Sequence, residues 1–388
     1  MPATLAFHAD EAMAQPPASK TGLERMEGEA RNLPPRLPPK ARQRVQRYPG
    51  QPTWTWTAAL FNTRGSCVTH RFAGTENALT TWSNPRVPYQ AMSARKQLEP
   101  MHGKPIMVNL CMNIEYWPFD RPMPRGVLPP PHGAQIEPPD VPNYSWVEYG
   151  MRAGMPRFMD MLAQRQLPAS ALLNAQVADV YASLMEDILA AGWELVGHGW
   201  AQQSLKQADD EAEVIARSLA RLEQADGKKV RAWLGPGLGE SNDTVDILKQ
   251  HGIEFLHDWV IDDLPFWIRT RHGPMVGLPY ALELNDVPIY AIKNSSSDEL
   301  LKRLEATLAM FERETEQNPR VLTFGLHPHI IGVPHIAYYF EKALDLLLDH
   351  PSTIFATSSQ IGDWFTEADG TGGAEVAAYT DSMPPLPK

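Results

Sequence analysis

Cysteine is almost absent from this chain: Cys67 and Cys111 are the only two in 388 residues. Two thiols make neither a disulfide framework nor a cysteine zinc site, so a reducing, cytoplasmic setting is expected. Basic charge is short as well. Lys and Arg number 35 against 46 Asp and Glu, a formal net charge of −11. Neither nucleic acid nor an anionic membrane surface is an expected partner for such a chain. No apolar run approaches the ~18 residues that span a bilayer. Met1 to Ala18 lacks a basic segment followed by an apolar stretch, so no signal peptide is expected. No glycine-rich loop follows the first strand pattern, which argues against a Rossmann-type dinucleotide site.

Proline, by contrast, is plentiful, with 36 residues crowded near the start and into one internal loop. Residues 1–50, with Pro34-Pro35 and Pro38-Pro39 among arginines, read as a flexible proline-rich arm able to wrap a neighbouring subunit. A homo-oligomer is therefore the expected assembly. Residues 51–100 carry Trp54, Trp56, Phe61, Phe72 and Trp82 and read as an irregular N-terminal extension. Residues 101–369 form the main domain, and 370–388 a loose tail.

Within the main domain, strand and helix patterns alternate. Ile106–Ile114 is a continuous apolar run suited to a buried strand, followed by a long loop from Pro118 to about Pro142 that includes Pro129-Pro130-Pro131. Helical spacing covers Tyr149 to Gln166. Short strands are predicted at 171–175, 193–198, 230–234, 253–256, 287–292, 320–326 and 353–356. Helices lie between them, one carrying the stripe Leu301, Leu304, Leu308 and Phe311. About seven strand-then-helix units predict an α/β protein built on a parallel sheet, either closed as a (β/α) barrel or open and doubly wound.

In such folds the carboxyl ends of the strands carry the chemistry. Those ends present Asn113-Ile114-Glu115, then His198 between two glycines, then His257-Asp258-Trp259 with Asp262 and Asp263. Glu283, Asn285 and Asp286 precede a later strand, and His327-Pro328-His329 follows the strand at 320–326. A carboxylate and two imidazoles at one rim suffice for general acid–base hydrolysis. His329 and His335 read as structural.

These segments resemble the polysaccharide deacetylase superfamily, a deformed (β/α) barrel. Within it they are most similar to the branch of metal-independent allantoinases and cyclic imide hydrolases. The resemblance rests on Pro142-Asn143-Tyr144-Ser145-Trp146, Gly197-His198-Gly199-Trp200, Trp233-Leu234-Gly235-Pro236-Gly237, Asp258-Trp259-Val260, Glu283-Leu284-Asn285-Asp286 and Leu326-His327-Pro328-His329. Deacetylases of this superfamily bind a divalent metal through an aspartate and a His-x-x-x-His pair. Here Glu115 stands nearest the aspartate, His198 is the first histidine, and Gln202 occupies the second position. A neutral amide is a poor replacement for imidazole on zinc.

The resemblance therefore implies a small cyclic amide, imide or ureide as substrate, opened by activated water without a cofactor. Zinc on Glu115 and His198 belongs to the alternative, an N-deacetylase of amino sugars. A non-catalytic relative that binds a small molecule is a third possibility. In the first reading Glu115 is the base, His198 orients it or the water, and His327 is the acid or oxyanion donor. Trp117, Trp200 and Trp259 are expected to wall the site, with Asp262, Asp263, Glu283 and Asn285 binding substrate.

Overall fold

The computed structural model describes residues 59–61, 67–69, 81–126 and 137–377. The proline-rich arm, the centre of the internal loop and the end of the C-terminal tail lie outside the described residues. The chain divides into two units, 1–78 and 79–388. In the first, Ala59–Phe61 pairs antiparallel with Cys67–Thr69.

The second unit is a nine-stranded sheet wrapped by helices. Its strands are β1 (Ile106–Ile114), β2 (Ser170–Leu173), β3 (Glu194–Gly197), β4 (Ala232–Trp233) and β5 (Phe255–Leu256). They continue as β6 (Phe266–Ile268), β7 (Met275–Gly277), β8 (Arg320–Leu326) and β9 (Thr353–Phe355). The order is β6-β7-β5-β4-β3-β2-β1-β8, with β9 paired to the first half of β1. Only β6 and β7 pair antiparallel. This is the expected deformed (β/α) barrel, with more strands than the seven predicted. The hairpin β6–β7 was not legible from the short runs Phe266–Ile268 and Met275–Gly277.

The sheet curls until its ends meet. The Val321 amide donates to the Asp263 carbonyl at 2.9 Å, and the Thr323 hydroxyl to the Pro279 carbonyl at 2.8 Å. Asn285 then bridges Gly325. The segment after β7 therefore closes the ring beside β8 without being a regular strand. The strand predicted at 287–292 is instead a π-helical turn, Val287–Ile292. Pro288 cannot donate to a strand ladder, but it fits the first turn of a helix.

Every residue of β1 is buried, as expected when both faces of a strand are covered. Period two then sorts them. Ile106, Val108, Leu110, Met112 and Ile114 join the core under the helices, whereas Met107 and Cys111 join the core inside the barrel. Asn109 and Asn113 share that inner face. Asn109 bonds Ser170 and Ser358 at 3.0 and 3.2 Å, so its amide is satisfied inside the barrel.

Helix α1 (Val141–Tyr149) runs through a π-helical turn, Gly150–Gly154, into α2 (Met155–Arg165). Its start lies eight residues ahead of the predicted Tyr149, because Asp140 caps it by accepting from the Asn143 amide at 3.2 Å. The glycines let this helix touch backbone. A Cβ at Gly150 would lie 2.5 Å from the His329 amide nitrogen, and one at Gly154 would strike the Pro328 carbonyl. The outer layer continues with α3 (Ala182–Ala190), α4 (Glu211–Asp226) and α5 (Thr244–Gln250). It ends with α6 (Glu299–Glu314), α7 (Pro334–Asp349) and α8 (Ser358–Asp369). On α6 the fully buried stripe is Leu300, Leu304, Leu308 and Phe311. Arg86 ties residues 81–100 to the barrel through its buried ion pair with Asp246 on α5, at 2.9 Å. No helix among the described residues is long and apolar enough to cross a membrane.

The glycine contact sets a test of packing. Gly154→Ala forces a methyl group against backbone that cannot rotate away, so it is expected to destabilise the fold by about 1–3 kcal/mol in denaturant unfolding. An unchanged transition midpoint would show that helix and turn are not in this contact.

Candidate active site

The parity that sorts the core also builds the site. On β1 the inner series 107, 109, 111, 113 ends at Glu115, just beyond the strand. On β3 the inner residues Glu194 and Val196 lead to His198, and on β8 the series 321, 323, 325 leads to His327. Parallel registry then brings the three together: Ile114 pairs Leu173, Leu173 pairs Gly197, and Met112 pairs Leu326. Glu115 Oε1 lies 3.7 Å from His198 Nε2 and 3.5 Å from His327 Nε2.

Each group is held from behind. Trp117 Nε1 donates to Glu115 Oε2 at 2.8 Å, which leaves Oε1 to the histidines. His198 Nδ1 donates to the Leu234 carbonyl at 2.7 Å, because a carbonyl can only accept. Its Nε2 turns toward Glu115 Oε1 and has no hydrogen-bond partner among the described residues. Asn174 stitches the strand ends together. Its amide donates to the His198 carbonyl, and its oxygen accepts from the Tyr116 amide at 2.9 Å.

His327 is held by Asp286, a residue that the sequence places near a strand end but to which it assigns no role. Asp286 accepts from the His327 ring Nδ1 at 2.7 Å and from its backbone amide at 2.6 Å. Burial alone would discharge the imidazole, but the Asp286 and Glu115 carboxylates overcome it and raise its pKa from 6.5 to about 9. Burial pushes Asp286 upward too. The two short bonds from His327 favour its ionised form, and we read the pair as imidazolium and carboxylate. Burial likewise opposes charge on Glu115, yet His198 and His327 outweigh it and hold the carboxyl well below its usual range. His329 follows the opposite course. Burial and the neighbouring imidazolium lower it to about 3, so it stays neutral, packed edge-on against Trp146 at 4.2 Å between ring centres.

These groups open onto a cavity of about 900 Å³. Glu115, His327 and His329 line it, with Trp117 and Trp200 among its walls. His198 is 1% exposed and stands behind Glu115.

The other expected substrate-binding residues lie elsewhere. Trp259 bonds Glu240 at 3.1 Å, and Asp262 pairs with Arg95 at 2.9 Å. Asp263 serves the ring closure through its carbonyl, and Glu283 gives its carbonyl to Arg303 at 3.2 Å. Asn285 is turned inward, accepting from the Val287 amide at 3.0 Å and facing the Tyr280 hydroxyl at 3.3 Å. None of the five lines the cavity. Each follows or precedes a strand; the side chains of Trp259, Asp262 and Asn285 are engaged, and Asp263 and Glu283 are tied down through their backbone carbonyls.

A divalent metal needs three protein donors or more in such a site. Glu115 and His198 supply two. Gln202, at the third position, turns its oxygen toward the Asn174 amide at 3.4 Å. No cluster of three His, Cys, Asp or Glu among the described residues has the geometry to hold a metal ion. The donors present do not fit the metal set of the deacetylases.

The Asp286–His327 pair sets a titration test. A folded-state pKa raised from 6.5 to about 9 contributes stability that is complete below pH 6.5 and lost as pH rises through about 9. Imidazole NMR is expected to follow His327 titrating near 9 in the intact protein and markedly lower in Asp286→Asn. A midpoint unmoved by that substitution would remove Asp286 as the cause.

With this geometry in view, comparison with known proteins is informative. Residues 140–256 match the polysaccharide deacetylase family. A peptidoglycan deacetylase of Helicobacter pylori is 20% identical over 266 residues, 60% of this chain and 90% of that protein. A probable polysaccharide deacetylase from Pseudomonas aeruginosa PAO1 has the same fold, with a TM-score of 0.61 and 22% identity across 68% of this chain and 92% of its own. PuuE allantoinase does as well, at a TM-score of 0.61 and 21% identity across 71% of this chain and 95% of its own. The matched stretch contains α1, the Gly197–Trp200 turn and the Trp233–Gly237 turn. Over residues 140–256 this chain is therefore similar in sequence to polysaccharide deacetylases, and its barrel shares its fold with the two solved structures.

Proposed function

We propose that this chain hydrolyses a ring C–N bond in a small cyclic amide, imide or ureide by general acid–base activation of water. The observation that carries the reading is Glu115, a buried anion on the cavity floor facing two imidazoles at 3.5 and 3.7 Å. Water held on Glu115 Oε1 attacks the ring carbonyl while the carboxylate takes its proton. His327, charged through Asp286, donates from Nε2 to the developing oxyanion and then protonates the leaving nitrogen. His198 positions the carboxylate from behind.

Base strength bears on the choice of substrate. A carboxylate held well below its usual range is a weak base, so little of the barrier is lowered on the nucleophile's side. The carbonyl must then be reactive by itself. Imide and ureide carbonyls are more electrophilic than that of an N-acetyl amide, which needs a stronger nucleophile or a Lewis acid. The likeness to PuuE allantoinase is consistent with this choice. Deacetylation of an amino sugar is the second reading, favoured by the family match and by the peptidoglycan deacetylase of H. pylori.

The test combines substitution with metal analysis. Screened on ureides, hydantoins, imides and N-acetyl sugars, the protein is expected to open a ring and to keep its turnover in chelator. His198→Ala and His327→Ala are each expected to lower that turnover by on the order of a hundredfold or more. Turnover within a few-fold of the parent would falsify these roles. A stoichiometric bound metal with chelator-sensitive release of acetate would establish the second reading instead.

A further inference from the structure

We infer that the ring opened at this site carries a carboxylate, bound by Arg217 while Trp200 supports the guanidinium from behind. The inference rests on the ring-hydrolase reading and goes further by naming the charge of the substrate. Arg217 projects from α4 into the same cavity that Glu115 and His327 floor. Its guanidinium carbon lies 4.6 Å over the centre of the Trp200 ring, a cation–π contact that holds the otherwise exposed side chain at the cavity wall. Arg221, one turn along the same helix, is paired with Asp179 at 2.8 Å. Among the described residues no carboxylate forms an ion pair with Arg217. An arginine held in place without a carboxylate has its donors available for one brought by a ligand.

The surroundings have the same sign. The charged side chains lining the cavity are Arg121, Arg125 and Arg217 against Glu115 and Asp120, with the His327 imidazolium offsetting Glu115. The mouth is thus positive on a chain whose formal net charge is −11. Such a local field raises the concentration of anions at the site and does nothing for a neutral ring or an uncharged sugar. Size agrees. At about 900 Å³ the cavity is near the top of the range of small-molecule sites, which leaves room for a side arm beyond a bare ring.

Hydantoin and hydantoin-5-acetic acid share one ring and differ in the carboxylate, so they isolate the charge. With the full-length protein, kcat/KM is expected to be about tenfold or more higher for the acid. Arg217→Gln is expected to bring that ratio close to one, through KM on the acid, and Arg217→Lys to restore part of it. Equal kcat/KM for both rings in the parent would overturn the inference, as would an Arg217→Gln variant that slows both rings alike. Calorimetric binding of the same two compounds separates this from the catalytic reading. If neither ring is opened, ring hydrolysis fails as a function. The carboxylate inference then stands on tighter, salt-sensitive binding of the acid that Arg217→Gln abolishes, and it falls if the acid binds no tighter than the neutral ring.

Discussion

A fully buried carboxylate costs several kcal/mol in lost hydration unless positive charge meets it, and the site depends on how Glu115 meets that demand. Two imidazoles face its free oxygen, and an indole N–H holds the other. One of those imidazoles is charged only because a second buried carboxylate, Asp286, sits on its far nitrogen. The result is an alternating row of anion, cation and anion in which no member is stable alone. Removing the outer anion discharges the cation, and the inner anion then loses its principal partner. The row also explains why neutral His329 can lie beside His327: burial and the adjacent cation keep it uncharged.

The row can exist only if elements far apart in sequence hold its members within a few ångströms. Parallel registry does this for Glu115 and His327 and sets His198 beside them. The turn after β8 needs more, because it carries His327 and His329 and has no ladder beyond Leu326. The Gly150–Gly154 turn of the first helix meets it backbone to backbone, and Trp146 covers His329 from the same helix. Glycine is required there for space alone. The helix thus acts as a clamp on the Glu115–His327 pair, although it contributes neither member.

This division explains what could be read from the sequence. Glu115, His198 and His327 each end an inner-face series of period two, and a strand's parity is visible in its residues. The long strands Ile106–Ile114 and Arg320–Leu326 were predicted to the residue because each is a predominantly apolar run of strand length. Asp286 was visible near a strand end, but nothing in the sequence set it apart from Glu283 and Asn285. Its importance comes from a contact 41 residues away in the chain, which no local pattern records. Trp259, Asp262, Asp263, Glu283 and Asn285 satisfied the same rule as the true cavity residues, being polar or aromatic near strand ends. What separated them was a prior partner: Glu240, Arg95, the closing backbone, Arg303 and Tyr280. The segment at 287–292 failed for a different reason. Its apolar run suits a buried helix turn as well as a strand, and Pro288 decided between them.

The same charges that make Glu115 stable also limit it as a base, and the two facts together constrain the chemistry. Every tenfold gain in the stability of the anion costs about 1.4 kcal/mol in its affinity for a proton. A site that wanted the strongest base would have left the carboxylate in an apolar pocket with one distant histidine. This site does the reverse: it secures the anion, places a cation where an oxyanion would form, and keeps Gln202 where a deacetylase has a metal-binding imidazole. Its strength lies in stabilising charge that develops on the substrate oxygen and nitrogen, not in generating a powerful nucleophile. Under the proposed function, such an arrangement suits a carbonyl already prone to attack, as in an imide or ureide, better than a simple acetamide.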